Sequence, residues 1–180
     1  MGYSEALKKS WDVFGDSGKS HVRFLNDEYE VDFSNRKILS FSCNIEAKDY
    51  YKILILHYLA NESKAPDIEK DKWVSFKELE GGEIYFSAFR KRSIETILRK
   101  HGDNPAGIFE REKSLNAEKM DAGNAAISVR VFPKVKVGIV LWAKDEEFSA
   151  DCNMLFNESI KVLLPTEDVA VLGGIIASLT

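Results

Sequence analysis

The sequence has few cysteines, no concentration of basic residues and no long hydrophobic run. Of its 180 residues only two are cysteines, Cys43 and Cys152, and they lie far apart in the chain. This spacing excludes a cysteine-rich metal site, because such sites need closely spaced ligands such as a Cys-x-x-Cys pair. The first residues also lack the apolar stretch of a secretion signal, so we expect free thiols and a cytoplasmic protein.

Two further absences concern binding partners. Lys and Arg number 25 against 29 Asp and Glu, and the net charge is −4, whereas a nucleic-acid-binding surface needs many phosphate contacts. The densest basic groups, 90–92 and 99–101, lie beside Ile94 and Leu98 on a predicted helix and are interpreted as its solvated face. No apolar run approaches the roughly 20 residues of a membrane span. We therefore expect neither nucleic-acid nor membrane binding.

What the chain does have is the composition of an ordinary globular protein, with 44% hydrophobic and 30% charged residues. The length suits one domain. We predict a single domain over residues 1–180, in which residues 1–45 form a first helix and a small antiparallel sheet. Residues 46–180 form its main body.

Periodicity of the apolar residues predicts the elements. Helical spacing occurs in the segments 3–14, 49–61, 84–100, a short stretch at 108–115 and the segment after Pro165. Strand-like patterns occur in the segments 21–25, 28–33, 38–42, 73–76, 126–131, 135–142 and 149–156. Two groups of strands are separated by helices, and the order does not alternate strand and helix. The predicted fold class is therefore α+β, with antiparallel sheet elements packed with about four to five helices.

Three local predictions concern the ends of these elements. The polar segment 62–72, which contains Pro66, is expected to be an exposed loop and the best candidate for a mobile one. Thr166 is a plausible N-cap of the last helix. On that helix Leu179 is expected to face the core together with Val169 and Leu172.

An acidic-aromatic stretch follows the strongest predicted strand. It runs from Trp142 through Asp145, Glu146 and Glu147 to Phe148. Three carboxylates at a strand end could bind a hard cation, accept hydrogen bonds from a cationic partner or include one acid with a raised pKa. The alternative is a solvated acidic turn. The flanking aromatics favour a pocket mouth or an interface.

Two other features carry an ambiguous signal. Gly81-Gly82 precedes a predicted helix whose N-terminal amides could receive an anion, but a turn that reverses the backbone is the more common explanation of such a pair. His57 lies within a predicted buried helix, where a hydrogen-bonded core residue is the common case. It would become a candidate base if a carboxylate from elsewhere reached it. No second His or Cys stands at zinc-ligand spacing, and the sequence specifies no cofactor.

Several short strings in the chain occur together, and in the same order, in one known family. They are Leu56–Leu59, Lys72–Leu79 with Gly81-Gly82, Tyr85 and Phe89, then Trp142 with Asp145–Phe148 and Ala150, Leu155-Phe156, and finally Leu164–Asp168. In this combination they resemble domain of unknown function 3786, a family found mainly in anaerobic bacteria and methanogenic archaea. The resemblance runs from about residue 50 to the C-terminus.

The resemblance implies a metabolic setting rather than a reaction. Some members of the family are fused to a cysteine-rich iron–sulfur domain, in genomes rich in corrinoid and one-carbon enzymes. An iron–sulfur or corrinoid protein is thus an implied partner. The chain departs from the family pattern at Lys77, Ser149 and Asn157, where Arg, Pro and Asp are expected. If that Asp were a metal ligand, Asn157 would weaken the site.

The leading hypothesis is an accessory domain that binds a small ligand or a partner protein in one cleft, and the resemblance links it to anaerobic redox, corrinoid or one-carbon metabolism. Its candidate residues are His57, Trp73, Glu78, Gly81, Gly82, Tyr85, Trp142, Asp145, Glu146 and Glu147. The alternative is a metal-assisted enzyme with Glu146 or Glu147 as acid/base and His57 as partner. A third hypothesis, an interaction protein, requires an exposed apolar patch around Tyr50, Tyr51 and Tyr58.

Overall fold

The computed structural model describes residues 3–15, 17–65 and 72–180, which form helices and antiparallel strands in the predicted α+β arrangement. The α-helices are α1 (Tyr3–Asp12), α2 (Asp49–Asn61), α3 (Gly82–Arg92), α4 (Ile94–His101), α5 (Glu112–Leu115), α6 (Ile160–Leu163) and α7 (Thr166–Leu179). The strands are β1 (Lys19–Phe24), β2 (Asp27–Asp32), β3 (Lys37–Ser40), β4 (Trp73–Ser75), β5 (Ala117–Lys119), β6 (Ala125–Phe132), β7 (Val135–Trp142) and β8 (Asp151–Asn157). Of the predicted mobile loop, 62–64 form a 3-10 turn, and 66–71 lie outside the described residues.

The strands build two antiparallel sheets, one of three strands in the order β1-β2-β3 and one of five in the order β4-β8-β7-β6-β5. The end of the first sheet meets the second where the Leu25 amide donates to the Val131 carbonyl oxygen at 2.7 Å. The hairpin between β6 and β7 turns at Pro133, as the sequence predicts, because proline cannot donate to a ladder. A bulge between Arg130 and Phe132 precedes the turn.

The second helix is the centre of the core. Its residues Leu54, Ile55 and Leu56 are fully buried, which confirms the prediction of a helix that is apolar in nearly every direction. On the same helix the ring of Tyr58 stacks on Phe132 of β6 with centroids 4.2 Å apart. Helix α2 therefore ties the larger sheet to the helical side of the molecule.

The predicted single helix over 84–100 is wrong, because it is two helices with a break at Ser93. Helix α3 ends at Arg92 and α4 begins at Ile94, and Ser93 has a ψ of −67°. Helix α7 passes closest at this point: a Cβ added to Gly173 would lie 2.6 Å from Phe89 and 3.0 Å from the Ser93 hydroxyl. The packing of α7 thus coincides with the break, which no local pattern in the segment marks.

Two predictions for α7 also need correction. Pro165 rather than Thr166 occupies the N-cap position, and the Thr166 hydroxyl instead donates to the Glu80 carbonyl oxygen at 2.7 Å. Leu179 is 40% exposed, whereas Val169 and Leu172 are fully buried. Leu179 therefore lies at the surface although Ile176 and Ala177 of the same turn are buried, and the first turn of α7 is fastened to the segment that precedes α3.

A buried histidine at the end of α4 makes stability depend on pH. The His101 ring is buried, and its Nε2 donates to the Thr180 carbonyl oxygen at 3.3 Å. Burial lowers the pKa of His101, and the nearby cations Lys100 and Arg111 lower it further. Since the unfolded chain then binds the proton more readily, this contribution to stability is complete above about pH 6.5 and is lost as the pH falls below it.

We expect the free energy of unfolding to fall between pH 7 and pH 5.5 more steeply in the native sequence than in the His101→Gln variant. The glutamine amide can still donate to the Thr180 carbonyl oxygen but does not titrate. Urea unfolding followed by circular dichroism at both pH values measures the difference. Parallel profiles for the two proteins would show that His101 does not carry the dependence.

Candidate functional site

The residues predicted to share one cleft fall into separate places. Trp142 pairs with Asp151 at the start of β8, whereas Trp73 pairs with Asn157 at its end. Six strand positions separate the two, which is about 20 Å at a rise of roughly 3.3 Å per residue. The prediction of a single cleft is therefore wrong, and each part of it has its own surroundings.

Trp73 is a packing residue of the sheet. Its ring lies over Gly138 on β7, where an added Cβ would be 3.2 Å from the ring and 3.3 Å from the sulfur of Met120. The glycine leaves the space that the indole fills. Trp73 thus covers the outer face of the larger sheet.

Three of the predicted residues line a groove at the start of α3, here called the Tyr85 groove. It has a volume of about 530 Å³. Its polar and turn residues include Glu78, Gly81, Tyr85, Lys161 and Glu167. The N-termini of α3 and α7 meet here, so the groove combines helix ends with side chains of both charges.

Most of these residues have structural tasks. Gly81 has a left-handed φ of 70°, which favours glycine. Gly82 lies so close to the backbone that an added Cβ would be 2.0 Å from the Phe76 carbonyl oxygen. The Glu78 carboxylate accepts the Ser75 amide at 2.7 Å in a capping box, and the bonds from Ser75 lower the pKa of Glu78. The turn interpretation of Gly81-Gly82 thus explains them without an anion.

His57 does receive a carboxylate from a distant segment. Its Nδ1 lies 2.5 Å from Oδ2 of Asp168 on α7, and its Nε2 lies 2.9 Å from Oγ of Ser10 on α1. The His57 side chain is 31% exposed. Neither Glu146 nor Glu147 is a hydrogen-bond partner of His57 in the described part of the chain. Nothing in the sequence singles out Ser10, because it is one polar residue on an amphipathic helix.

The carboxylates of the acidic-aromatic stretch form a turn. Oδ1 of Asp145 accepts the amides of Glu147 at 2.9 Å and Phe148 at 2.7 Å, and the Asp145 amide donates to the Phe148 carbonyl oxygen at 2.9 Å. These backbone donors lower the pKa of Asp145. Glu146 and Glu147 are exposed. The solvated-turn interpretation therefore describes the three carboxylates, and Asp145 holds the shape of the loop.

The aromatic residues of the same stretch open onto a pocket of about 610 Å³, here called the Trp142 pocket. Its lining includes Trp142, Phe148, Arg90, Asp151 and Asn153. Trp142 is 37% exposed and Phe148 69% exposed, so both rings present apolar surface to solvent. Large exposed aromatics beside a few charged groups are typical of ligand pockets and interfaces.

The loop that carries these aromatics is fixed at its start. Oδ1 of Asn124 accepts the Ala143 amide at 2.9 Å, and the Asn124 amide donates to the Leu141 carbonyl oxygen at 2.8 Å. Together with the Asp145 turn, these bonds fix the loop from Ala143 to Phe148. The pocket wall is thus built before a ligand arrives.

The chemistry of metals and thiols finds little support around these pockets. Within residues 3–15, 17–65 and 72–180, no three His, Cys, Asp or Glu side chains lie close enough together to hold a metal ion. Cys152 lies between Asp151 and Asn153, which line the Trp142 pocket, but its own side chain is buried on the core side of β8. Burial raises the pKa of Cys152 to about 12, so its thiol stays protonated.

Two expectations about surfaces can be compared with the structure. The apolar patch around Tyr50, Tyr51 and Tyr58 does not form, because Tyr58 is fully buried and the other two are partly buried. None of the helices in the described ranges is long and apolar enough to cross a membrane.

Comparison with known proteins identifies a family for this chain. No curated protein and no solved structure matches the chain. A family model described as "Domain of unknown function (DUF3786)" matches residues 5–178. The match includes the N-terminal helix and sheet, whereas the resemblance based on short strings began only at about residue 50. It covers nearly the whole chain, and this protein therefore belongs to the DUF3786 family.

Proposed function

We propose that this protein is an accessory domain that binds a small planar molecule in the Trp142 pocket. The observation that carries the proposal is the pair of exposed rings, Trp142 and Phe148, in one pocket with Arg90, Asp151 and Asn153. A volume of about 610 Å³ lies within the usual range for small-molecule sites.

The lining suggests the chemistry of the ligand. A planar ring system stacking on an aromatic side chain gains roughly 1–3 kcal/mol, as measured for bases on protein aromatics. Arg90 has Glu95 4.0 Å from its Nε, and both side chains are about half exposed, so this weak pair leaves the guanidinium available. With Asp151 and Asn153 in the same lining, the pocket offers both donors and acceptors. A flat molecule with a polar edge is therefore the expected class.

The Tyr85 groove is a less favourable site for the same purpose. Its carboxylates Glu78, Glu80 and Glu167 outnumber its single cation Lys161. These carboxylates offset the positive ends of the two helices that meet there, which makes the groove less suitable for an anionic ligand. Gly81 and Glu78 are also explained by the turn itself. A metal-assisted enzyme, the other candidate function, has no favouring observation among the described residues.

The family resemblance directs the choice of probes. Its setting in anaerobic redox, corrinoid and one-carbon metabolism suggests a flavin, a pterin and a corrinoid. An iron–sulfur or corrinoid protein as partner rests on that resemblance alone and forms the outer part of this proposal. Purification without oxygen, followed by a visible spectrum and native mass spectrometry, would detect a bound cofactor or a partner in one preparation.

We expect Trp142→Ala to weaken binding of the best of these probes by about tenfold or more, because one stacking face is removed. Quenching of intrinsic fluorescence provides the binding curve for the native protein, since Trp142 is more exposed than the buried Trp11. Isothermal titration calorimetry then compares native protein and variant.

Phe41→Ala is the matched control, because Phe41 is an exposed aromatic in the turn that follows β3, outside the pocket. It should bind the probe as the native protein does. Equal affinities for Trp142→Ala, Phe148→Ala and the native protein would contradict the proposal. So would a protein that binds none of the flavin, pterin and corrinoid probes.

A further inference from the structure

Three side chains from three helices form a continuous hydrogen-bonded chain away from the Trp142 pocket. Ser10 lies on α1, His57 on α2 and Asp168 on α7. The Ser10 Oγ is 2.9 Å from Nε2 of His57, and Nδ1 of the same ring is 2.5 Å from the Asp168 carboxylate. The order of atoms is that of a nucleophile, a general base and the acid that orients the base.

The carboxylate end of this chain is well placed to orient the imidazole. Asp168 is buried in the first turn of α7, where the positive end of the helix dipole stabilises a negative charge. As an acceptor, its carboxylate keeps the proton of neutral His57 on Nδ1. The lone pair of Nε2 then faces Ser10. This tautomer is the one that can take a proton from a serine.

Ser10 has two acceptors for its single proton. Its Oγ is 3.0 Å from the Ala6 carbonyl oxygen and 2.9 Å from Nε2 of His57. A rotation of the hydroxyl is enough to point the proton from one acceptor to the other. Ser10 is 3% exposed while the His57 side chain is 31% exposed, so the imidazole is the member of the pair that solvent reaches, and a substrate would have to approach beside it. A small acyl group is therefore the class of substrate to test.

We propose that Ser10, His57 and Asp168 form a nucleophilic site for acyl transfer from small esters. Ser10 Oγ bonds to the acyl carbon while the hydroxyl proton of Ser10 passes to Nε2 of His57. The bond between the acyl carbon and the leaving alkoxide then breaks as His57 passes that proton to the alkoxide, which leaves as the alcohol. Water then attacks the acyl-serine and gives its proton to Nε2. The carboxylic acid leaves, and the proton returns to Ser10.

This site is independent of the proposed ligand in the Trp142 pocket. None of the three residues lines that pocket, and no step of the transfer requires a planar ligand. Failure of one proposal therefore leaves the other unaffected. The competing role for the same three residues is purely mechanical, since they also fasten α1 to α2 and α7.

The test is covalent labelling with a small alkyl fluorophosphonate, which phosphonylates activated serines with loss of fluoride. We expect the intact protein to gain one phosphonyl group, mapped to Ser10 by peptide mass spectrometry. Labelling should be absent in Ser10→Ala. In Asp168→Asn and His57→Gln it should be slower by about 100-fold or more, because the base is disoriented or removed.

Ser114→Ala is the control, because Ser114 is exposed and its hydroxyl donates to the Arg111 carbonyl oxygen without a histidine partner. It should label at the native rate. Native protein that stays unlabelled, or that labels equally in Ser10→Ala, overturns the proposal and leaves the three residues with the mechanical role. Absence of labelling is measured on the native protein alone, as is the mapped position of the label, so the test holds even where a variant fails to fold.

Discussion

Replacing Gly82 with alanine is expected to lower the free energy of unfolding by about 3 kcal/mol, at the upper end of the usual cost of overpacking. The added methyl would lie 2.0 Å from the Phe76 carbonyl oxygen and 3.2 Å from the Lys77 Cα, and both are backbone atoms that cannot swing aside. Phe76 is further fixed by its ring, which stacks on Phe89 with centroids 4.0 Å apart. Relief of the clash would disturb that stack.

The matched control is Gly174→Ala on α7, where an added Cβ meets nothing within 4 Å. Alanine there should stabilise the protein by about 1 kcal/mol, the difference in helix propensity between the two residues. Urea unfolding of both variants and the native protein, followed by circular dichroism, measures the two changes. A neutral Gly82→Ala would show that the close approach to Phe76 is not required, and an anion at the helix start would again need consideration.

The parts of the fold that the sequence predicts are those governed by local pattern. Helix α2 could be predicted because its apolar residues point in nearly every direction, which only a buried helix tolerates. The β6–β7 hairpin could be predicted because alternation on both sides of Pro133 leaves only a turn between two strands. In each case the information lies within a stretch of about 20 residues.

The break at Ser93 could not be predicted for the opposite reason. Ile94 and Ile97 continue the apolar stripe of the preceding helix, so the pattern passes through the break unchanged. Helix α7, which packs there through Gly173, lies about 80 positions later in the chain. Only its packing against Phe89 and Ser93 distinguishes this position.

The candidate site shows the same limit. The acidic-aromatic stretch at 142–148 can be recognised in the sequence because its residues are neighbours. The prediction of a single cleft is wrong because strand register, which the sequence does not show, places Trp142 and Trp73 at opposite ends of β8. The partners of His57 lie 47 positions before it and 111 positions after it. Sequence reasoning could state that a carboxylate was needed, but only the fold identifies Asp168.

The second large effect is expected at Asn157, a buried residue at the end of β8. Its Oδ1 accepts the Lys136 amide at 2.6 Å, and its Nδ2 donates to the Lys134 carbonyl oxygen at 3.1 Å. The side chain thus clamps the β6–β7 hairpin and is not free to act as a ligand. Aspartate, the residue that the family resemblance leads us to expect here, could accept from the Lys136 amide but would turn a second acceptor towards the Lys134 carbonyl oxygen. We expect Asn157→Asp to cost about 3 kcal/mol at pH 7, the scale of an uncompensated buried charge.

The cost should shrink in acid, because burial and the facing Lys134 carbonyl oxygen would raise the pKa of the new carboxyl, and its protonated form can donate to Lys134. The comparison is the difference in unfolding free energy between native protein and variant at pH 7 and at pH 5, which removes the contribution of His101. Asn153→Asp is the control on the same face of β8, where the side chain is exposed, and it should change stability by less than about 0.5 kcal/mol. If Asn157→Asp were equally mild, or grew worse in acid, the amide clamp would not be what holds the hairpin.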